Sequence, residues 1–396
     1  MTDNFEYHCQ EPRAKSVHFA FTFLNTHAGM GTYETELAER LIKYEDLNIS
    51  SLYFSLLSKG HQFVNFPVKH VRLPKGFVFD RFNDKFSRGI FRVFRNIFRK
   101  CVSYNILSKS FSDDDVYVFF ENDLPRMRLK GKILAVIHDI IPLRVKEYSS
   151  MYELCLKNSN DILSRASRII TVSEFSRKDI ADFFGIDKNR IDVVYNGVDV
   201  EEFSCLNTSK TVMEQLRIKY LLPEKYILYF GGSDPRKNVE AVINAYSILP
   251  DELQKIYKLV ITNPSQKVMD LALEKGITSN VHFIRNIPSE DKPGIYQMAA
   301  CFLWLSFYEG FGLPLVEAQA SGVPVVCSNV TSMPEVVGDS ALLVSPYDIR
   351  AISSKIEEIL IDKELRENLI AKGYENIKRF SWDESAKKLH DIIINL

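Results

Sequence analysis

Two carboxylates bracket a glycine turn in the stretch SFYEGFGLPLVEAQASGVPVV, residues 306–326, with Glu309 before the turn and Glu317 after it. Gly310, Phe311 and Gly312 read as the turn, and Leu313 and Pro314 as the first residues of a helix, a position where proline is tolerated. The first N–H groups of a helix lack intrahelical acceptors and sit at its positive dipole end, so such a turn suits an anion. Carboxylates beside it suit hydroxyl groups, which donate to them. A single ligand with phosphates and hydroxyls, a sugar nucleotide, meets both requirements. Glu317, one turn into the helix, is placed for a ribose diol, and Glu309 for hydroxyls of the sugar. The competing reading makes both acids stabilisers of a helix N-terminus. Glu309 fits that less well, because a glycine turn separates it from the helix.

Three other places could supply partners. In YILYFGGSDPRKN, residues 226–238, an apolar run enters Gly231-Gly232 and is followed by Arg236-Lys237 and a helix from about Asn238. Strand, glycine turn and helix place phosphate at the C-terminal edge of a parallel sheet. Arginine offers a bidentate fork and lysine a point charge for a diphosphate. The plainer reading is a surface turn with two solvated cations. In AVIHDIIPL, residues 135–143, His138 and Asp139 end a buried run, at an edge where ligands collect; a lone strand-end histidine also serves structural roles. In NTHAGMGTYETEL, Gly29 and Gly31 precede a helix expected near Thr32. The third glycine of a dinucleotide fingerprint is missing, position 34 being Glu, which disfavours a nicotinamide enzyme.

The elements that must position these groups alternate along the chain. Strand-like runs occupy 17–24, 50–57, 116–120, 133–139, 168–173 and 191–197, then 226–232, 257–263, 281–286, 301–306, 324–329 and 341–345. They are continuous and β-branched, as in parallel strands buried on both faces. Helical patterns such as 33–44, 174–184, 238–249 and 351–361 separate them. The fold class is α/β, doubly wound. A polar break at 204–222 divides the chain into a domain over 1–205 and another over 206–380. A last helix over 381–396 is expected to return to the first domain. Two Rossmann-like domains facing each other across a cleft is the economical architecture.

With 396 residues, 46% of them hydrophobic, the chain can build two full cores. Fifty basic and 51 acidic residues leave a formal charge of -1, not the footprint of a nucleic-acid binder. The six cysteines form no CxxC pair and read as reduced thiols, consistent with a cytoplasmic protein. No apolar signal core or membrane-spanning run is present. Asp113 and Asp115 make an Asp-x-Asp pattern that elsewhere holds a metal with a sugar nucleotide; before a strand, a solvated turn is the simpler reading. No zinc spacing and no GxSxG elbow occur.

Taken in order, EGFGLPLVEAQASGVPVV, the GG…RKN segment, ITVSEFSRKDI (170–180), VVYNGVD (193–199) and VHFIRNIPSEDKPGIYQMA (281–299) resemble the retaining GT-B glycosyltransferases of family 4. The resemblance runs from about residue 16 to the end, and several ordered motifs make it specific. It implies that Arg236 and Lys237 bind the donor diphosphate and offset the charge on the leaving phosphate, with no metal and no cofactor. It implies that Glu309 contacts the transferred sugar, Glu317 the ribose, and His138 the sugar. Phe311, Gly312 and Leu313 would offer backbone N–H groups, with Gly232 in the phosphate turn and Arg285, Asn286 and Ile287 lining the base pocket. Gly29 and Gly31 would approach the donor phosphates and the acceptor. The HDIIPL and GGSDPRKN segments look most like bacterial mannosyl- or rhamnosyl-type transferases of surface polysaccharide assembly. The expected partners are a nucleotide sugar, GDP-mannose first, and a glycan or lipid-linked acceptor; UDP-glucose, UDP-galactose and UDP-N-acetylglucosamine stay open. A GT-B epimerase and a non-catalytic sugar-nucleotide-binding partner are the rival readings.

Residues 81–101, RFNDKFSRGIFRVFRNIFRKC, place Arg81, Lys85, Arg88, Arg92, Arg95 and Arg99 on a helical stripe about 80° wide, with phenylalanines and aliphatics opposite. The stripe is either a solvated surface face or an attachment to the anionic inner face of a membrane, which would make the protein peripheral there.

Overall fold

The computed structural model describes residues 14–20, 29–53, 68–70, 112–120, 130–204, 209–232 and 234–396. The basic stretch 81–101 lies outside them. Two parallel sheets form the frame. The first comprises β1 (Lys15–Ala20), β2 (Leu47–Tyr53), β3 (Val68–His70), β4 (Val116–Phe119), β5 (Lys132–Val136), β6 (Arg168–Thr171) and β7 (Ile191–Val193), in the order β3-β2-β1-β4-β5-β6-β7. The second comprises β8 (Tyr226–Tyr229), β9 (Lys258–Thr262), β10 (Val281–Ile284), β11 (Cys301–Trp304), β12 (Val325–Ser328) and β13 (Leu342–Val344), in the order β10-β9-β8-β11-β12-β13. β4, β8, β11 and β12 are buried along their whole length. That burial on both faces is why their sequences are unbroken apolar runs.

Among the helices, α1 (Gly29–Leu41) follows β1, α2 (Glu174–Phe184) follows β6 and α3 (Val239–Ser247) follows β8. α4 (Leu313–Ala320), α5 (Met333–Val337), α6 (Ile349–Ile361) and α7 (Trp382–Ile394) belong to the C-terminal part. Their ends follow local chemistry. Ser173 caps α2 by accepting from Ser176 N, and Gly185, at φ 64°, closes it in the left-handed conformation. Asp348 caps α6 in the same way by accepting from Ala351 N. α1 begins at Gly29, three residues earlier than the sequence suggested, so Gly29-Met30-Gly31 is its first turn and not a preceding loop.

By packing, the chain forms two compact units. One contains Met1–Ile137, Lys157–Ile170 and Ala386–Leu396; the other contains His138–Leu156 and Thr171–Ser385. The composition break at 204–222 separates the two sheets along the sequence. In the second unit, α3 and α6 pack on one face of the sheet, with Val242, Tyr246, Ile352 and Ile356 fully buried against Ile227, Leu259 and Leu303. In the first, Val17, Phe19, Leu37, Leu41, Leu389 and Ile393 are fully buried, and His390 stacks on Tyr44 while bonding Asp46 at 3.0 Å. Among the described residues no helix is long and apolar enough to cross a membrane.

Candidate active site

Most of the loops that carry the candidate residues leave C-terminal ends of strands in the second unit. The loop after β8 brings Gly231, Gly232, Asp234, Arg236 and Lys237. The loop after β11 brings Ser306 to Gly312, and the loop after β12 brings Thr331 and Ser332. The segment 138–156, which follows β5 in sequence, packs with this unit and adds His138, Asp139 and Tyr148.

Arg236 and Glu309, read from sequence as two separate ligand contacts, are each other's partners. Both are buried, and Arg236 Nη1 lies 2.6 Å from Glu309 Oε2. The same nitrogen donates to Tyr308 O at 2.6 Å, and Nη2 pairs with Asp234 Oδ2 at 3.1 Å. Arg236 Nε has no hydrogen-bond partner among the described residues. Burial works against the Arg236 charge, but Glu309 and Asp234 outweigh it and hold the guanidinium as a cation. Ser306 Oγ donates to Glu309 Oε1 at 2.8 Å, so both oxygens of that carboxylate are engaged. Asp234 also accepts from Tyr148 OH at 2.7 Å and from Arg236 N at 3.0 Å. Burial opposes its charge, yet Tyr148 and Arg236 together keep its carboxyl below the usual range.

Lys237 is placed differently. Its ammonium lies 4.8 Å above the Trp304 ring, and no carboxylate of the described residues reaches ion-pairing distance. Burial pulls its pKa down, with Glu309 the main opposing influence and Glu317 a smaller one. Glu317 stands one turn into α4 and accepts from Tyr296 OH at 3.1 Å. Burial pushes its pKa up, countered by Lys292, Tyr296 and Lys237. Gly312, at φ 100°, makes the turn into α4, a conformation that favours glycine. Phe311 points its ring into a cluster with Phe380 and Tyr195, leaving its backbone to face the turn.

His138 and Asp139 meet the same turn. A Cβ on Gly310 would lie 2.7 Å from Asp139 Oδ2, so glycine is required there. Asp139 Oδ1 accepts from Ile141 N at 3.0 Å. Burial raises the Asp139 pKa to about 6 and lowers that of His138 to about 4. Arg285 and Asn286 are exposed in the loop after β10; Asn286, at φ 54°, donates its N–H to Asn263 Oδ1 at 3.0 Å. β10 is two strands from β8 and three from β11, about 10 and 15 Å at ordinary strand spacing. Gly29 and Gly31 stand in the first unit.

Several residues at this site were not singled out from sequence: Tyr148, Asp234, Ser173, Ser176, Ser332 and Glu335. Asp234 alone had a local signal, an Asp-Pro turn two residues before Arg236. Tyr148 is 86 residues away from the Asp234 it bonds. The Asp-x-Asp pattern is also clarified. Asp113 and Asp114 are exposed in a turn, whereas Asp115 is buried and lies 3.2 Å from His18 Nε2. It immediately precedes β4 at the N-terminal edge of the first sheet, the edge opposite the one where ligands gather.

The whole fold is that of the GT-B glycosyltransferases. It superposes on sucrose-phosphate synthase from Thermosynechococcus elongatus with a TM-score of 0.71 at 19% identity, covering 96% of this chain and 98% of that one. WaaG, a glycosyltransferase involved in lipopolysaccharide biosynthesis, gives 0.69 at 17% identity, covering 95% and 99%. Residues 28–202 match the family model Glycosyltransferase Family 4, and residues 213–376 match Glycosyl transferases group 1. The O-antigen chain mannosyltransferase B of Escherichia coli is 36% identical over 258 residues, 64% of this chain and 67% of that protein. The serotype-specific mannosyltransferase WbdA of Escherichia coli is 31% identical over 300 residues, 71% of this chain but 37% of that longer protein. The chain belongs to this glycosyltransferase family, group 1 and family 4, and is a glycosyltransferase.

Proposed function

We propose that the protein moves a hexose, mannose from GDP-mannose as the first candidate, from a nucleoside diphosphate sugar to a hydroxyl of a glycan or lipid-linked glycan. The anomeric configuration is retained and no metal takes part, both by family resemblance. The observation that carries the reading is the assembly of Arg236, Lys237, Glu309 and Glu317 around one glycine turn. Mannose is supported by the names of the relatives, and is a narrower claim than the transferase class.

In this reading the diphosphate lies against the turn at 310–313 and beside Lys237. As the glycosidic bond to phosphate breaks, negative charge grows on the leaving oxygens. Lys237, the backbone N–H groups and Arg236 stabilise it where it develops. The low dielectric that depresses the Lys237 pKa also strengthens its attraction for the phosphate. Glu309, held by Arg236 and Ser306, faces the sugar hydroxyls, and His138 contacts the same sugar as a neutral ring. Glu317 receives the ribose diol. Gly232 lets the phosphate approach, and Arg285, Asn286 and Ile287 flank the base. By the family resemblance, Gly29 and Gly31 contact the donor phosphates and the acceptor.

A thermal-shift screen against GDP, UDP and their sugars tests the donor. A ligand at 100 times its Kd adds about 2.7 kcal/mol, so the matching nucleotide raises the melting temperature clearly. Turnover is then followed with and without acceptor, in chelator. Glycosylated product formed only with acceptor is expected, its anomeric coupling unchanged from the donor. Donor consumed equally without acceptor would make the protein an epimerase, and binding without turnover a non-catalytic partner.

A further inference from the structure

In the turn that begins at Glu309, three carbonyls are paired and the N–H groups of the same three peptides are not. Three successive carbonyls are met by buried serine hydroxyls. Ser332 Oγ lies 2.9 Å from Glu309 O and 3.0 Å from Phe311 O, sharing its proton between them. Ser173 Oγ and Ser176 Oγ lie 2.6 and 3.1 Å from Gly310 O. All three serines are at most 1% exposed. By contrast, the N–H groups of Gly310, Phe311 and Gly312 donate to nothing among the described residues.

These two facts are one fact of peptide geometry. In a planar trans peptide the C=O of one residue and the N–H of the next point in opposite directions. Pinning the oxygens of 309, 310 and 311 on serine hydroxyls therefore turns each of the N–H groups of 310, 311 and 312 away from the hydroxyl that holds its own peptide. Those are the three that have no protein partner. The two serine grips are also tied together. Glu335, three residues after Ser332, accepts from Glu174 N at 2.8 Å, Phe175 N at 2.9 Å and Tyr195 OH at 3.0 Å. The start of α2, which carries Ser176 and is capped by Ser173, is thus fixed to the segment that carries Ser332.

We propose that Ser332, with Ser173 and Ser176, are positioning residues for the donor diphosphate, holding three carbonyls away from the anion and so committing three consecutive N–H groups to it. This rests on the reading of the turn as the diphosphate site. Without the hydroxyls, a peptide plane is free to rotate and bring a partly negative oxygen towards the phosphate.

The test uses the full chain, with Ser332→Ala, Ser173→Ala/Ser176→Ala and Ser332→Thr. Binding of UDP and GDP is measured by isothermal titration, and binding of uridine and guanosine by ligand-observed NMR. For the diphosphate that the wild type binds, each alanine variant raises Kd by roughly tenfold, the scale of one net hydrogen bond. Affinity for the matching nucleoside is unchanged, and Ser332→Thr, which keeps the hydroxyl, restores most of the loss. An unchanged diphosphate Kd in Ser332→Ala would overturn the proposal, as would an equal loss for nucleoside and diphosphate. A wild type that binds neither nucleotide removes the donor-site reading, and the serine clamp with it.

Discussion

Arg236 and Lys237 are adjacent and alike in charge, yet their surroundings separate their roles. Arg236 is locked between Glu309 and Asp234, so Arg236→Ala leaves two carboxylates without a cation. Breaking such a buried pair costs about 3–5 kcal/mol, and both stability and turnover fall. Lys237 makes no ion pair among the described residues, so Lys237→Ala keeps a melting temperature near that of the wild type while turnover drops at least ~100-fold. Parallel melting curves and initial rates decide it; equal stability losses in both variants would refute the distinction. His138 and Asp139 give an opposed pair of pH effects. Folding lowers the His138 pKa from 6.5 to about 4, so its contribution is intact above pH 6.5 and is lost as pH falls towards 4. Folding raises the Asp139 pKa from 3.8 to about 6, so stability is gained over nearly the same interval. Urea unfolding from pH 7 to 4 should therefore show His138→Gln becoming more stable than the wild type on acidification and Asp139→Asn less. Unaltered profiles in both would show that the two groups are not buried as described. At this scale the sequence revealed charged groups that have local motifs and missed the groups that hold them. Glu309 stands out beside its glycine turn, but Ser332 and Tyr148 are common residue types whose roles exist only once distant segments meet.

At the level of elements, glycine marks where the second unit's segments close on each other. A methyl group on Gly310 would meet the Cβ of Asp139 at 2.8 Å, an atom fixed to the backbone that cannot swing aside. Gly310→Ala should cost about 1–3 kcal/mol as overpacking, read as a lower urea midpoint and reduced nucleotide affinity; a variant indistinguishable from wild type would mean that the two segments part easily. The strands were the most legible elements. β8, β11 and β12 are buried on both faces, which leaves little freedom in residue type, and their positions agree with the sequence reading to within a few residues at each end. β3 escaped because Val68–His70 is three residues long with a single apolar side chain. The start of α1 was misplaced because glycine ordinarily signals a loop, whereas Gly29 and Gly31 occupy a first helical turn. The stretch 81–101 carries its own prediction from sequence alone. The protein should sediment with vesicles of anionic lipid at low salt, and charge reversal at Arg88, Arg92 and Arg95 should release it, each cation contributing about 1 kcal/mol. Equal sedimentation with neutral vesicles would remove the electrostatic attachment.

Across the whole molecule, family membership settles the class of reaction, whereas the sugar, the base and the acceptor are chosen by a few finely placed groups. Those properties were the least legible in the sequence for a physical reason. A transferred sugar is discriminated by the positions of a few hydroxyl groups, which a polar side chain meets through geometry and not through residue type. The carboxylates around Arg236 and Lys237 have a kinetic consequence as well. Two cations, Arg236 and Lys237, among three carboxylates, Asp234, Glu309 and Glu317, leave the site with no net positive charge in a chain whose formal charge is -1. Under the proposed function, a polyanionic donor is then drawn by no long-range field and is recognised only at contact, where the lysine and the turn N–H groups act over a few ångströms. Its association rate should change little between low salt and a Debye length of about 8 Å, in contrast to steered encounters, which slow steeply. Stopped-flow binding at several ionic strengths would show it. The same lack of net positive charge turns away the nucleic acids and polyphosphates that a bare pair of cations would attract.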